Sequence, residues 1–338
     1  MSRAQLTSTV EQNTGGAVAP FVAGKNKIIN GDFGVWQRGT SVNATGTGVA
    51  YFIADRWQAQ RDGTGATVTI SQQTFAPGNT IAGYEPTYFY RYAQSVAGTG
   101  ATYTNVCVQN IEDVRTFAGQ TLTISFWAKA DASRTLTINF PQVYGSGGSA
   151  NTYGNGGSIN IGTSWQRYFY TTTLPSIAGK TIGTGSYLQI AIQTTANNTV
   201  QTIDIWGAQL EAGSVATPFT TATGTLSGEL AACQRYYIRY GGGYDFPAGI
   251  CLTTTTARMS FALPVPLRAA PSLDYSTIKV RDKTLTSIAT TGTPSIPSGQ
   301  PSSNYVDVDI AAAASSFTAY QMTYLVLDTG YVGFNAEL

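Results

Sequence analysis

The sequence predicts an all-β protein, a jelly-roll β-sandwich followed by a second, smaller β-sandwich domain. Three observations predict it. Short segments that alternate apolar and polar residues recur along the chain; Gly, Asn, Pro and Ser punctuate them at the spacing of sandwich turns; and a helical pattern is confined to one interior stretch. With 338 residues the chain is long enough for two cores.

Residues 1–26 are small and polar, with one apolar patch from Ala17 to Ala23 broken by Pro20. Such a segment cannot bury a core of its own, so it is expected to be a flexible arm or one ordered by a partner surface. Residues 27–220 form the first domain. Its clearest strand is Thr121–Lys129, where Leu122, Ile124 and Phe126 fall on one face and Thr121, Thr123 and Ser125 on the other. Tyr187–Gln193 repeats the pattern, with Leu188, Ile190 and Ile192 opposed to Gln189 and Gln193. Thr67–Gln73, Tyr88–Ser95, Asn105–Ile111, Leu136–Tyr144, Arg167–Thr173 and Thr202–Leu210 bring the expectation to about eight strands, the number of a jelly roll.

Residues 221–236 read as a connector with a short helix over Ser227–Tyr236, capped by Ser227 and carrying Glu229 in its first turn. Residues 237–338 alternate again, over Ile250–Leu263, Leu273–Val280, Tyr305–Ile310 and Ala319–Phe334, with a Pro/Ser/Gly loop at Gly292–Ser303. Gly241-Gly242-Gly243 lacks the lysine and the strand-to-helix setting of a phosphate loop and reads as a flexible turn.

Composition removes whole classes of function. The chain has 19 Lys and Arg, 18 Asp and Glu, and no histidine. A net charge of +1 without a basic cluster excludes phosphate-driven nucleic-acid binding. Absence of histidine excludes His-based triads, His general bases and His-containing zinc sites. Cys107, Cys233 and Cys251 fit neither a disulfide framework nor a thiolate metal cage and read as small buried hydrophobes. No apolar run reaches the ~18–20 residues of a membrane span, and the first residues lack a signal-peptide core, so neither membrane insertion nor signal-peptide secretion is expected.

Glycoside hydrolysis would need two carboxylates facing one sugar. Glu112 and Asp113 are adjacent and would point to opposite faces of a strand, and Asp204, between Ile203 and Ile205, reads as an outward residue. No acidic pair stands out, and no enzyme is expected. Sugar binding instead uses flat aromatic faces flanked by amides and hydroxyls. The loop Tyr144–Asn160 displays such groups among Gly, Ser and Asn, making Tyr144, Asn151, Tyr153 and Asn155 the first glycan-binding candidates. Tyr88, Tyr90 and Tyr92 share a face of one strand and are the alternative surface, open also to a reading as packing or an oligomer interface.

Four ordered segments carry a resemblance: Asn30-Gly31-Asp32-Phe33 with Trp36-Gln37-Arg38-Gly39, then Ala54-Asp55-Arg56-Trp57, then Gln209-Leu210-Glu211-Ala212-Gly213 with Ala216-Thr217-Pro218-Phe219, and Cys233-Gln234-Arg235-Tyr236-Tyr237. Together, over residues 27–240, they resemble phage tail-fibre and virion-surface proteins with a carbohydrate-binding-module-like jelly roll. The resemblance implies a virion structural protein of the tail or capsid surface, a homo-oligomer and commonly a trimer. Its arm would join other virion proteins, and its partner would be a host cell-surface glycan. A capsid decoration or connector protein without ligand is the alternative, and a polysaccharide depolymerase a weaker one. No cofactor is expected. Structural calcium is disfavoured because the acidic residue that commonly follows the opening Asn-Gly-x-Phe is Gly34 here, leaving Asp32 alone for an ion that wants six to eight oxygens. From the residues themselves, Asp55-Arg56-Trp57 reads as a salt-bridged turn with Arg56 stacked on a ring, and Glu211 as a strand-end cap accepting backbone N–H groups.

Overall fold

The computed structural model describes residues 24–338 apart from 45–49, 62, 82, 101–103, 195–198, 244–247, 282–286, 290–292, 298–303 and 313–316. The arm expected over 1–26 lies outside the described residues but for Gly24, Lys25 and Asn26, as does much of the loop Gly292–Ser303. The chain divides into two units, the first running to Glu229 and joined by Leu338, and the second running Leu230–Glu337. Among the described residues no helix is long and apolar enough to cross a membrane.

The first unit contains β1 (Ser41–Ala44), β2 (Ala50–Phe52), β3 (Gln58–Gln60), β4 (Thr67–Thr74), β5 (Tyr88–Val96), β6 (Thr104–Glu112), β7 (Thr121–Ala130), β8 (Arg134–Asn139), β9 (Gln142–Val143), β10 (Gly157–Ile161), β11 (Gln166–Thr173), β12 (Tyr187–Thr194) and β13 (Gln201–Ala212). They form a jelly-roll sandwich of two antiparallel sheets. One has the order β1-β4-β5-β13-β7-β11, the other β10-β8-β12-β6-β3-β2, with β9 paired to β12. Alternate residues of the two inner faces meet in one core: Leu122, Ile124 and Phe126 from β7 and Leu188, Ile190 and Ile192 from β12, all fully buried. Each such side chain contributes about 1.5–3 kcal/mol of transfer free energy.

All eight anticipated strands are present, with one revision. Leu136–Tyr144 is not continuous, because Pro141 has no N–H for the ladder and separates β8 from β9. The short strands β1, β2, β3 and β10 lack the long apolar alternation that exposes a strand in sequence.

The recurring motifs hold this sandwich together. Asn30, at φ 57°, donates from Nδ2 to Val35 O (2.9 Å) and Asp55 O (3.0 Å) and accepts Val35 N at Oδ1 (2.9 Å). Trp57 Nε1 donates to Asn30 O (2.9 Å), and its ring lies 5.2 Å from that of Phe33. Gly31 has a steric reason: a Cβ there would stand 2.2 Å from Ala208 O on β13. Asp55 accepts Gln37 N (2.6 Å) and Gln37 Nε2 (2.8 Å), and the guanidinium of Arg38 lies 3.7 Å from it. Arg38, in the Trp36–Gly39 segment, thus joins Arg56 in bringing positive charge to Asp55, and Arg56 also donates to Asn110 O on β6 (2.5 Å). Glu211 accepts Thr217 N (2.9 Å) and Thr217 Oγ1 (2.7 Å), tying down the chain that leaves β13.

Helix α1 (Leu226–Gln234) follows. Its cap is Thr225, whose Oγ1 accepts Gly228 N at 3.1 Å, and not Ser227, which lies inside the first turn. Glu229 turns back to the sandwich and accepts Asn30 N and Thr223 N, each at 2.7 Å.

The second unit holds β14 (Tyr237–Gly243), β15 (Ala248–Cys251), β16 (Thr256–Ala262), β17 (Ser272–Ser276), β18 (Lys279–Arg281), β19 (Ser287–Ala289), β20 (Tyr305–Ala311) and β21 (Met322–Asn335). The long β21 pairs with β15 and β18 along its first half and with β14 and β17 along its second, around a core that includes Met259, Phe261, Val308 and Phe334. Two expectations are corrected. Ile250–Leu263 is a hairpin, turned where Thr253 Oγ1 accepts Thr255 N and Thr256 N. Gly241–Gly243 is the end of strand β14 and not a free turn, since Gly241 pairs with Tyr331 and Gly243 with Leu327 on β21, where a Cβ at Gly241 would stand 3.1 Å from Gly330 O.

Candidate functional site

On β3, β6, β8 and β12 the residues facing away from the core include a set of amides. Gln58 and Gln60 flank the buried Ala59, Gln189 and Gln193 alternate with Ile190 and Ile192, and Asn139 follows Ile138. Strand pairing brings them together: Gln60 and Gln193 both stand opposite Asn105, and Gln189 stands opposite Asn110. The β6–β12 register shifts at this point, taking up Val106, so that Asn105 and not an apolar residue meets Gln193.

The amides form a hydrogen-bonded chain across four strands. Asn139 Nδ2 donates to Gln193 Oε1 (2.5 Å), Gln193 Nε2 to Asn105 Oδ1 (2.8 Å), and Asn105 Nδ2 to Gln60 Oε1 (2.9 Å). Alongside it, Gln189 Nε2 donates to Asn110 Oδ1 (3.0 Å). A primary amide has two N–H groups and two acceptor lone pairs, so Asn105 and Gln193 each retain one of both kinds after making these bonds. They line a groove of about 560 Å³.

The groove is walled by tyrosine. Tyr153 is 68 % exposed and Tyr187 half-buried, and both line it together with Asn151. The Tyr187 hydroxyl is held above its ordinary pKa, first by burial and then by the neighbouring Tyr153. Asn151 Nδ2 donates to Tyr153 Oη at 3.2 Å, which steadies the exposed ring. Gly156 makes room for the end of the amide chain, because a Cβ there would stand 2.1 Å from Asn139 Oδ1. No charged side chain lines the groove among the described residues. A surface of paired donors and acceptors beside flat rings suits neutral polyhydroxyl ligands.

Of the loop candidates, the structure brings Asn151 and Tyr153 to the groove. Tyr144 is fully buried, its N–H donating to Asn151 Oδ1 (3.2 Å) and its hydroxyl 3.3 Å from Thr152 Oγ1, so it supports the loop from beneath and has no face to offer. Asn155 is half-buried on the same loop and does not line the groove. The alternative surface is corrected: Tyr90 and Tyr92 are fully buried, with Tyr90 Oη donating to Val106 O (2.6 Å), because their face of β5 is the core face. Tyr88 is half-buried and lines a different cavity with Asp32 and Trp206. Gln58, Gln60, Asn105, Asn110, Asn139, Gln189 and Gln193 were not anticipated as a site. Their signal was the polar half of the strand alternation, which marks a face but not its neighbours.

Asp204 does point outward from the core but is covered, with Arg91 Nε and Nη2 donating to its two oxygens at 2.7 and 2.8 Å. Among the described residues no group of three or more Cys, Asp or Glu side chains is gathered as a metal site.

No family model matches the chain, and no curated protein matches it. Solved structures similar to it include a putative sugar-binding protein from Bacteroides thetaiotaomicron, at 12% identity over 56% of this chain and 100% of that one, with a TM-score of 0.39. They also include a xylan-binding carbohydrate-binding module from Paenibacillus barcinonensis, at 12% identity over 58% of this chain and 100% of that one, with a TM-score of 0.33. The enzymatically active domain of tailspike protein 4 of bacteriophage CBA120 is 16% identical over 56% of this chain but only 22% of that one, with a TM-score of 0.34.

Proposed function

We propose that this chain is a glycan-binding protein and that the amide groove is its binding site. The observation that carries the reading is the chain of amides Asn139, Gln193, Asn105 and Gln60, in which Asn105 and Gln193 keep an N–H and a lone pair each, along a groove walled by Tyr153 and Tyr187. Preformed amide pairs lose little freedom on binding, and each can donate to one sugar hydroxyl while accepting from another. The tyrosine rings supply stacking surface for the C–H faces of a pyranose.

The same lining argues for binding without catalysis. Cleavage of a glycosidic bond calls for two carboxylates about 5–9.5 Å apart, and no carboxylate side chain lines the groove among the described residues. We further propose, on the four ordered sequence motifs, that the protein is carried on a phage particle as an oligomeric tail or surface fibre engaging a host-surface glycan. Mass spectrometry of purified particles and light scattering of the purified chain test this part, and a monomer absent from particles would overturn it.

The site is tested by titrating the full chain against an array of neutral glycans. Gln193→Leu removes two links of the amide chain and Tyr153→Ala the exposed ring. Each is expected to weaken binding about tenfold or more, in line with ~1–2 kcal/mol for a hydrogen-bonding or stacking contact. Undiminished binding by both variants, or no binding to any glycan by the wild type, overturns the reading.

A further inference from the structure

The opposite sheet carries a second cavity, of about 680 Å³, on its outer face. Its chemistry differs from that of the amide groove. Trp127, Phe75 and Ile81 form an apolar floor, Trp165 is half-buried at one side, and two cations, Lys129 and Arg167, line it with no carboxylate among the described lining residues. Strand pairing fixes the arrangement: Arg167 on β11 stands opposite Trp127 on β7, and Lys129 lies two residues further along the same face.

Both cations keep hydrogen-bonding capacity. Lys129 Nζ lies 3.6 Å from Asp204 Oδ2 and 5.4 Å from the centre of the Trp165 ring, but Asp204 is already held by both donors of Arg91. Arg167 packs its guanidinium 4.7 Å from the Trp127 ring and donates from Nη2 to Ser125 Oγ (2.9 Å) and to Thr217 O, while its Nε is buried without a hydrogen-bond partner. Glu211, the nearby acid beyond the cavity, is paired with Lys25 at 3.6 Å. Around the cavity Arg91, Lys129 and Arg167 outnumber Asp204, and Glu85, just outside the lining, is engaged by Gly78 N (2.6 Å).

We propose that this cavity is a second carbohydrate subsite, selective for a sugar bearing a carboxylate, with the carboxylate between Lys129 and Arg167 and the ring against Trp165. An ammonium and a guanidinium with donors to spare favour an anion, and a half-exposed indole beside them favours a flat C–H surface attached to it. A uronic acid combines the two. The subsite lies on the sheet opposite the amide groove and stands independently of it.

The test titrates the full chain at low salt with sodium glucuronate, glucose and inorganic phosphate, following tryptophan fluorescence. Glucuronate is expected to give a saturable change that added salt weakens, and glucose and phosphate at the same concentrations to give none. Lys129→Gln, which leaves Arg91 on Asp204, and Trp165→Ala are each expected to weaken glucuronate binding at least tenfold, while Gln193→Leu leaves it unchanged. The proposal is overturned if glucuronate does not saturate, if glucose or phosphate binds as well, or if Lys129→Gln binds like the wild type. Loss of neutral-glycan binding in Gln193→Leu with glucuronate binding intact separates this proposal from the fate of the amide groove.

Discussion

A few buried polar side chains each satisfy several backbone groups in the first unit. Asn26 donates from Nδ2 to Ala208 O and Thr220 O and accepts Ile28 N and Leu210 N, and Asn30 and Glu229 do comparable work beside it. Removing such a group leaves buried partners unsatisfied, at about 1–3 kcal/mol each. Asp32, half-buried nearby, carries a cost of its own. Its carboxyl is held above the usual range, first by burial and then by the neighbouring Glu229, with Gly34 N (3.3 Å) offsetting part of this. A raised carboxylate pKa means that folding is favoured while the group is protonated and weakened as pH rises through the folded-state value. Asp32→Asn is therefore expected to melt above the wild type at pH 7, with the difference closing below about pH 4, near the unfolded pKa of an aspartate. Thermal melts of the two proteins across that range check it; equal melting temperatures at pH 7 would contradict it.

At the scale of the strand, alternation divides each element into a core face and an outer face, and the outer faces differ. On β5, β7 and β13 the outer face is aromatic and ionic: Phe89, Trp127 and Trp206 pack under Phe75 and Phe219, and Asp204 joins Arg91 to Lys129. Arg91→Ala would leave Asp204 buried with only the more distant Lys129. The expected loss is about 2 kcal/mol, below the ~3–5 of a wholly buried pair because Arg91 is one third exposed. A lower urea midpoint with unchanged slope is the measurement. On β3, β6, β8 and β12 the outer face carries the amides. Gln189 and Gln193 were legible as the polar half of an alternating strand, but no local pattern placed them beside Asn105, Gln60 and Asn139. That adjacency depends on strand order and on the register shift at Val106, and both are set by contacts between residues distant in sequence.

For the whole molecule, Cys107, Cys233 and Cys251 are buried and outside any disulfide, so packing and hydrogen bonding hold the described structure without a covalent staple. Reductant is accordingly expected to leave the melting temperature unchanged, and a thiol reagent to label the cysteines only on unfolding. A drop in melting temperature with reductant would show a cross-link at work. The all-β class, two β-rich segments and nearly every long strand were determined by the sequence itself, because period-two burial is a local property that each strand carries in its own residues. The binding candidates divide along the same line. The exposure of Tyr153 and Asn151 was readable because they sit on a Gly-rich loop. Tyr144, Tyr90 and Tyr92 were not, since the face of a tyrosine that meets the core is decided by the facing sheet. Only the tertiary structure decided that amides from four separate strands form one continuous groove, and that Trp165, Lys129 and Arg167 share another, because hydrogen-bond and charge complementarity between distant residues exists only once the chain has brought them together.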